Sequence, residues 1–257
     1  DEERITLLVR TAELCRDRTD RPHDAIASFE RVREIDRDHG ETLVALDGLY
    51  GQTERWPDLA DLLEHRAELA EDVDAQVELY FRLATLRAQE LSEPRRALEA
   101  YSRLLDVSAS HGPTVERLEA YLDDLELGTD AARLLEPIYS SRQDWPNLIK
   151  IYEIRLAAAE ESEDRLALMT RIAQLYEEQL EDLEGAFTWY GKVFLESPTD
   201  TSIRDQLTRL TGILDCWEAL ANIFTRYLDD SLADDETSRE IALMVGHLYD
   251  EKLYTWQ

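Results

Sequence analysis

Asp24-Ala-Ile-Ala-Ser-Phe-Glu-Arg-Val32, Arg96-Ala-Leu-Glu-Ala-Tyr-Ser-Arg-Leu104 and Gly185-Ala-Phe-Thr-Trp-Tyr-Gly-Lys-Val193 are three versions of one phrase. Each carries an alanine, an aromatic four residues later and an aliphatic three after that: Ala25/Phe29/Val32, Ala97/Tyr101/Leu104 and Ala186/Tyr190/Val193. Spacings of four and then three return to one face of an α-helix. The small alanine permits close helix approach, and the ring fills the space one turn on. The phrase therefore reads as the buried stripe of a helix that occurs three times.

Two further markers share its period. Trp56-Pro-Asp-Leu59, Trp145-Pro-Asn-Leu148 and Trp217-Glu-Ala-Leu220 place tryptophan three before leucine. Proline after Trp56 and Trp145 fits a first helical turn, where its missing N–H costs nothing. Ala25 to Trp56 is 31 residues and Trp56 to Ala97 is 41, a period of 72, and the same intervals return from Ala186 to Trp217 and from Trp145 to Ala186. Between Ala97 and Trp145 the interval is 48, so the middle unit carries 17 extra residues. Ala12, Ala84 and Ala173 each stand 13 before a marker alanine. An internal repeat of this length marks an array of stacked helical units.

Four helices fit each period: roughly 2–18, 22–36, 41–53 and 56–71, then 73–91, 93–107, 112–125 and 145–160, then 163–180, 183–196, 200–213 and 216–230, with an extra helix near 129–142 and a last one over 234–253. The expected fold is all-α, about 14 helices with a 72-residue double-hairpin period. Connections of two to five residues force consecutive helices antiparallel. His39-Gly40 and His111-Gly112 read as helix ends, glycine at C′ and histidine near the negative pole. Acid-rich starts such as Ser162-Glu-Asp and Asp234-Asp-Glu suit the positive poles. The units are 1–72, 73–161 with the insertion around 126–143, 162–232, and a partial unit 233–257, together one array. Adding a period to Ala186 places the next marker alanine just past Gln257, so a longer parent is expected on both sides.

Composition agrees. Glycine and proline number 9 and 7 in 257 residues, about half the usual share, which leaves little room for hairpins of strands. At 44% apolar and 33% charged the chain is no disordered tail, and no apolar run approaches the ~20 residues of a membrane span. Net charge is −29. A surface this acidic lacks the basic stripe that nucleic acid requires and is repelled by anionic membranes. It reads as a solvated surface or as a field for a cationic partner. Nearly all the positive charge is arginine, lysine standing only at 150, 192 and 252, a bias that a GC-rich genome produces. Cys15 and Cys216 read as separate thiols.

In Ile172-Ala173, Ala186, Tyr190, Val193 and Pro198 the sequence resembles the tetratricopeptide repeat: large-small in a first helix, then alanine, aromatic, small and proline in the second. Ala97/Tyr101/Leu104 and Ala25/Phe29/Val32 match the second-helix part alone. The closing proline survives only at Pro198, valine or leucine replaces a small residue, and the first-helix tyrosine needs a one-residue shift to reach Tyr176. Leu46, Tyr50 and Leu59 are the best matches in the tryptophan hairpins. The half-a-tetratricopeptide array is the near alternative, and the acid- and arginine-rich text looks like bacterial arrays. The resemblance implies a right-handed superhelical solenoid of hairpins whose first helices line a concave groove for peptides or partner helices. By position, the groove candidates are Glu13, Arg16, Thr85, Gln89, Gln174, Glu177 and Glu178.

No catalytic signature is present: Gly-x-Gly-x-x-Gly, the Walker loop, Gly-x-Ser-x-Gly and His-Glu-x-x-His are all missing. Asp36-Arg-Asp38-His-Gly40 lacks the further ligands of a calcium loop, the histidines are scattered, and no cofactor or metal is expected. Trp56, Trp145 and Trp217 read as core. The inserted helix near 129–142 either bends the array into two arms or sits neutrally on its outer face. The expected function is a non-enzymatic scaffold binding a protein or peptide partner, basic or polar in character, with no nucleic acid and no membrane insertion. The alternative is a structural spacer or a regulatory array attached to other domains, an enzyme among them.

Overall fold

The computed structural model describes residues 1–18, 21–230 and 236–253. Among them the chain is all helix, with fourteen α-helices and no strand. It packs as two compact units, Asp1–Leu134 and Leu135–Gln257. The first holds α1 (Glu2–Arg18), α2 (Pro22–Ile35), α3 (Gly40–Gln52), α4 (Trp56–Leu69), α5 (Val73–Gln89), α6 (Pro94–Val107) and α7 (Gly112–Glu119), and the division falls inside α8 (Gly128–Arg142). The second continues with α9 (Trp145–Ala158), α10 (Ser162–Glu178), α11 (Leu183–Glu196), α12 (Thr201–Leu214), α13 (Trp217–Asp230) and α14 (Glu236–Leu248), closed by a π-helical turn Tyr249–Leu253. The opening Asp234 and Asp235 expected of the last helix lie outside the described residues, as does the end of the partial unit.

The repeat phrase is the core. Ala25, Ala97 and Ala186 are completely buried with their ring partners Phe29, Tyr101 and Tyr190 and the aliphatics Val32, Leu104 and Val193. Ala12, Ala84 and Ala173, also without exposure, lie on the opposing helices, so the tightest pairings are α1 with α2, α5 with α6 and α10 with α11. Each large side chain so buried contributes roughly 1.5–3 kcal/mol.

Helix ends repeat as well. Glu54, Gln143 and Asp215 adopt left-handed backbone at φ 55°, 56° and 54°, each two residues before a marker tryptophan. The following N–H donates back to a carbonyl five residues earlier: Arg55 to Tyr50 at 2.9 Å, Asp144 to Tyr139 at 2.9 Å, Cys216 to Thr211 at 3.3 Å. This is the Schellman closure, made by non-glycine residues. Side-chain caps then start the next helices: Asp72 accepts from the Ala75 N–H at 2.9 Å and Asp182 from the Gly185 N–H at 2.9 Å.

Three local expectations are corrected. His39 and Gly40 do not end α2; Gly40 opens α3, and His39 is its N-cap, with Nδ1 accepting from the Thr42 N–H at 3.4 Å and 2.9 Å from Thr42 Oγ1. His111 repeats the Thr contact at 2.9 Å with Thr114. A histidine acceptor at a positive helix pole does the work usually given to Ser or Asp. Second, Trp56, Trp145 and Trp217 are only half-buried; Leu59, Leu148 and Leu220 are the core residues of that marker. An indole in the first turn lies along the rim of the packed layer, and Trp217 Nε1 donates to Asp215 at 3.0 Å. Third, α7 stops at Glu119 instead of running to 125. Asp124 accepts from the backbone of Glu126 and Leu127 at 2.9 and 3.0 Å, a side-chain turn that competes with the helix.

Candidate functional site

The groove face of the hairpins occurs at three equivalent places, and side chains decide which is open. At the first, α1 and α3 flank a cleft of about 530 Å³ lined by Val9, Glu13, Arg16, Phe29, Glu41 and Val44 among others. Phe29 forms the apolar floor, being 1% exposed, while Val44 stands 61% exposed on the α3 rim. Arg16 is committed to Asp17 through Nε–Oδ1 at 2.6 Å and Nη2–Oδ2 at 3.1 Å. That pairing raises the guanidinium pKa and lowers that of the Asp17 carboxyl. Glu13 and Glu41 are left as the uncompensated charges, so the cleft has an apolar floor and an acidic rim.

At the second place Phe81 replaces Val9 and fills the space. Its ring lies 6.2 Å from Tyr101 and 5.4 Å, edge-on, from His111, and Thr85 turns its hydroxyl to Tyr101. At the third, Glu177 bonds the Tyr190 hydroxyl and pairs with Arg209, which ties α10 to α11 and α12.

Of the seven groove candidates, Glu13 and Arg16 line the cleft. Thr85 is half-buried against Tyr101, and Gln89 is exposed at the end of α5. Gln174 is half-buried, 3.5 Å from Arg171 Nη1, Glu177 is bound to Arg209, and Glu178 is exposed. Gln174, Glu177 and Glu178 belong to the second unit and the other four to the first.

Glu177 is one rung of a pattern that the sequence reading missed. A carboxylate on one helix repeatedly accepts from the two helices or turns that follow. In the first unit Glu30 takes the Tyr50 hydroxyl and Arg55 Nη1, each at 3.0 Å. Asp47 takes Arg66 and both Nη atoms of Arg82 at 3.0 and 2.7 Å. Glu64 takes Arg87 at 2.7 Å and Arg103 at 2.9 Å. In the second unit Glu136 takes the Tyr152 hydroxyl at 3.0 Å together with Arg155. Arginine's planar fork can serve such shared acceptors where the point charge of lysine cannot. The arginine bias thus has a structural use, and much of the acidic surface is internal stitching.

The rungs also place the insertion. Asp47–Arg66 and Glu136–Arg155 are both 19 residues apart, and Arg82 and Arg171 follow at equal distance. Helix α8 therefore stands to α9 as α3 stands to α4, while α7 keeps the histidine cap of α3. The extra residues supply a second α3-like segment. The turn between them, with Leu125 fully exposed, lines another cleft of about 800 Å³ with the start of α6. Arg95 and Glu126 sit 3.8 Å apart there. Only the broken period hinted at it.

Two rung tyrosines are acid-weakened. Burial foremost, then the neighbouring carboxylate, pushes Tyr50 beside Glu30 and Tyr190 beside Glu177 up to about 12. A proton held more tightly in the folded state stabilises it fully below the unfolded value near 10, and that stabilisation is lost as pH rises toward 12. Stability measured by urea denaturation is expected to fall steeply between pH 10 and 12, by about 2 kcal/mol per tyrosine. Tyr50→Phe and Tyr190→Phe should each flatten the fall. An unchanged slope in both variants contradicts the assignment.

No family model matches the chain, and no curated protein does. Among solved structures it is similar to the TPR2AB-domain:pHSP90 complex of yeast Sti1, at 14% identity over 97% of this chain and 98% of that one, with a TM-score of 0.32. The TPR domain of P58(IPK) matches at 13% identity over 96% and 66%, TM-score 0.39. A tetratricopeptide repeat protein from Parabacteroides merdae matches at 14% over 95% and 99%, TM-score 0.34. The hairpins of this chain, built on its own repeat phrase, make it a tetratricopeptide-like helical repeat array, and its site is read from its own side chains. Among the described residues no three His, Cys, Asp or Glu converge as metal ligands, and no helix is long and apolar enough to cross a membrane.

Proposed function

We propose that this chain is a non-enzymatic scaffold that holds a basic or polar polypeptide segment in the α1–α3 cleft. The observation that carries the reading is Val44, an aliphatic side chain 61% exposed beside a buried aromatic floor and two unpaired glutamates. A spacer with an idle groove has no use for that combination. Apolar anchoring on Phe29, Val9 and Val44 would supply affinity, and Glu13 and Glu41 would steer cationic residues into register. The net charge of −29 opposes a nucleic-acid partner.

An array of short peptides, matched in apolar content and differing in lysine and arginine content, tests this by fluorescence anisotropy. Basic peptides with an aliphatic or aromatic anchor should bind, and Val44→Asp should weaken them by tenfold or more. The Glu13→Lys/Glu41→Lys pair should turn the preference toward acidic peptides. Retention of no peptide, or equal binding by Val44→Asp, refutes the reading.

A further inference from the structure

Helix α1 carries a second face that the cleft does not use. At 100° per residue, Leu7, Arg10 and Leu14 lie roughly a third of a turn away from Val9, Glu13 and Arg16. Leu7 is 68% exposed and Leu14 53%. The same Leu-x-x-Arg-x-x-x-Leu spacing recurs at Leu79/Arg82/Leu86 in α5 and Leu168/Arg171/Leu175 in α10. There it is covered. Leu79, Leu86 and Leu175 are 7%, 9% and 3% exposed, packed under the preceding helices α4 and α9. Arg82 forks onto Asp47 of α3, and Arg171 reaches the hydroxyl of Tyr152, itself bonded to Glu136 of α8. Arg10 occupies that arginine position and makes no ion pair with the described residues.

We infer that the Leu7/Arg10/Leu14 face is a docking seat for a helical hairpin of a partner protein, one that offers leucines in the manner of α4 and a carboxylate in the manner of Asp47. The occupant is specified because the chain twice shows what covers this pattern: a hairpin whose second helix lies on the leucines and whose first helix supplies the acid to the arginine. A single amphipathic helix would bury the leucines and leave Arg10 unanswered. A basic segment, the occupant read for the cleft, would meet Arg10 as a like charge, so the two faces select different partners.

The test presents such a hairpin at high local concentration, as a copy of residues 39–72 joined ahead of Asp1, which preserves the 72-residue period of the natural α4-to-α5 connection. Amide hydrogen exchange then reads α1. The joined copy should slow the α1 amides by at least tenfold, and Leu14→Asp or Arg10→Glu in the host should each remove that protection. Because all three face residues are exposed, these variants should leave the helical circular dichroism of the unextended chain unchanged. Reversing the charge in the copy, by Asp47→Arg there, should lose protection with native Arg10 and regain it with Arg10→Glu. Unchanged α1 exchange on adding the copy, or protection indifferent to Leu14→Asp and Arg10→Glu, overturns the seat.

Discussion

Replacing Phe194 by alanine is expected to cost the second unit about 3–5 kcal/mol. Phe194 has no exposure, and its ring meets Phe224 at 5.0 Å and, edge-on, Tyr227 at 5.6 Å. These contacts join α11 to α13, helices that are not neighbours in sequence, so the ring closes a three-helix packing that no other side chain can fill. Truncation empties that volume, and aromatic pairing worth roughly 0.5–1.5 kcal/mol is lost as well. Against a total of about 5–15 kcal/mol for an ordinary domain, the loss is severe. Urea denaturation followed by circular dichroism should show a lower midpoint, and the amides of α11–α13 should exchange fastest. A change under about 1 kcal/mol would mean that the cluster is not the core it resembles.

The second large effect is expected at Asp47. Its carboxylate, 9% exposed as a residue, is the sole acceptor the structure gives the Nη atoms of Arg82 and also accepts from Arg66. Asp47→Ala leaves two guanidiniums facing each other across a half-buried gap, and uncompensated buried charge is the costly half of a broken pair. About 2–4 kcal/mol should be lost, less than for a fully buried pair because Arg82 retains access to water. Arg82→Lys keeps the charge and loses the fork, for about 1 kcal/mol. If lysine serves as well as arginine at 82, the stitching is simple charge balance and the arginine bias has no structural use.

These two sites differ in how far the sequence announced them. The packing of Ala186, Tyr190 and Val193 follows from spacing alone, because four and three residues return to one helical face whatever else surrounds them. Phe194 lies beside that stripe and could be read with it. Asp47 could not. Its partners stand 19 and 35 residues away, and in a chain with 57 acids no local rule says which carboxylate meets which arginine. Only the recurrence of acid, arginine and arginine at Asp47/Arg66/Arg82 and Glu136/Arg155/Arg171 carries that signal. It depends on aligning the units across the insertion on tryptophan rather than on histidine.

The same limit explains the groove. Position placed Glu13 and Arg16 on the cleft, and placed Thr85 and Glu177 with equal force. What separates them is a neighbour: Val9 leaves room, Phe81 does not, and Arg209 reaches across to Glu177. Side-chain volume and a cross-helix ion pair, neither visible in the repeat arithmetic, choose the open position. Likewise the half-buried tryptophans follow from their place in a first turn, where the register is right and the depth is not.

The most direct measurement is amide chemical-shift mapping on the 257-residue chain, titrated with the tightest basic peptide from the array. The account predicts perturbations concentrated at Val9, Glu13, Arg16, Glu41 and Val44 and lost in Val44→Asp. Shifts centred instead on Leu125 and the start of α6, or spread without a centre, would contradict it.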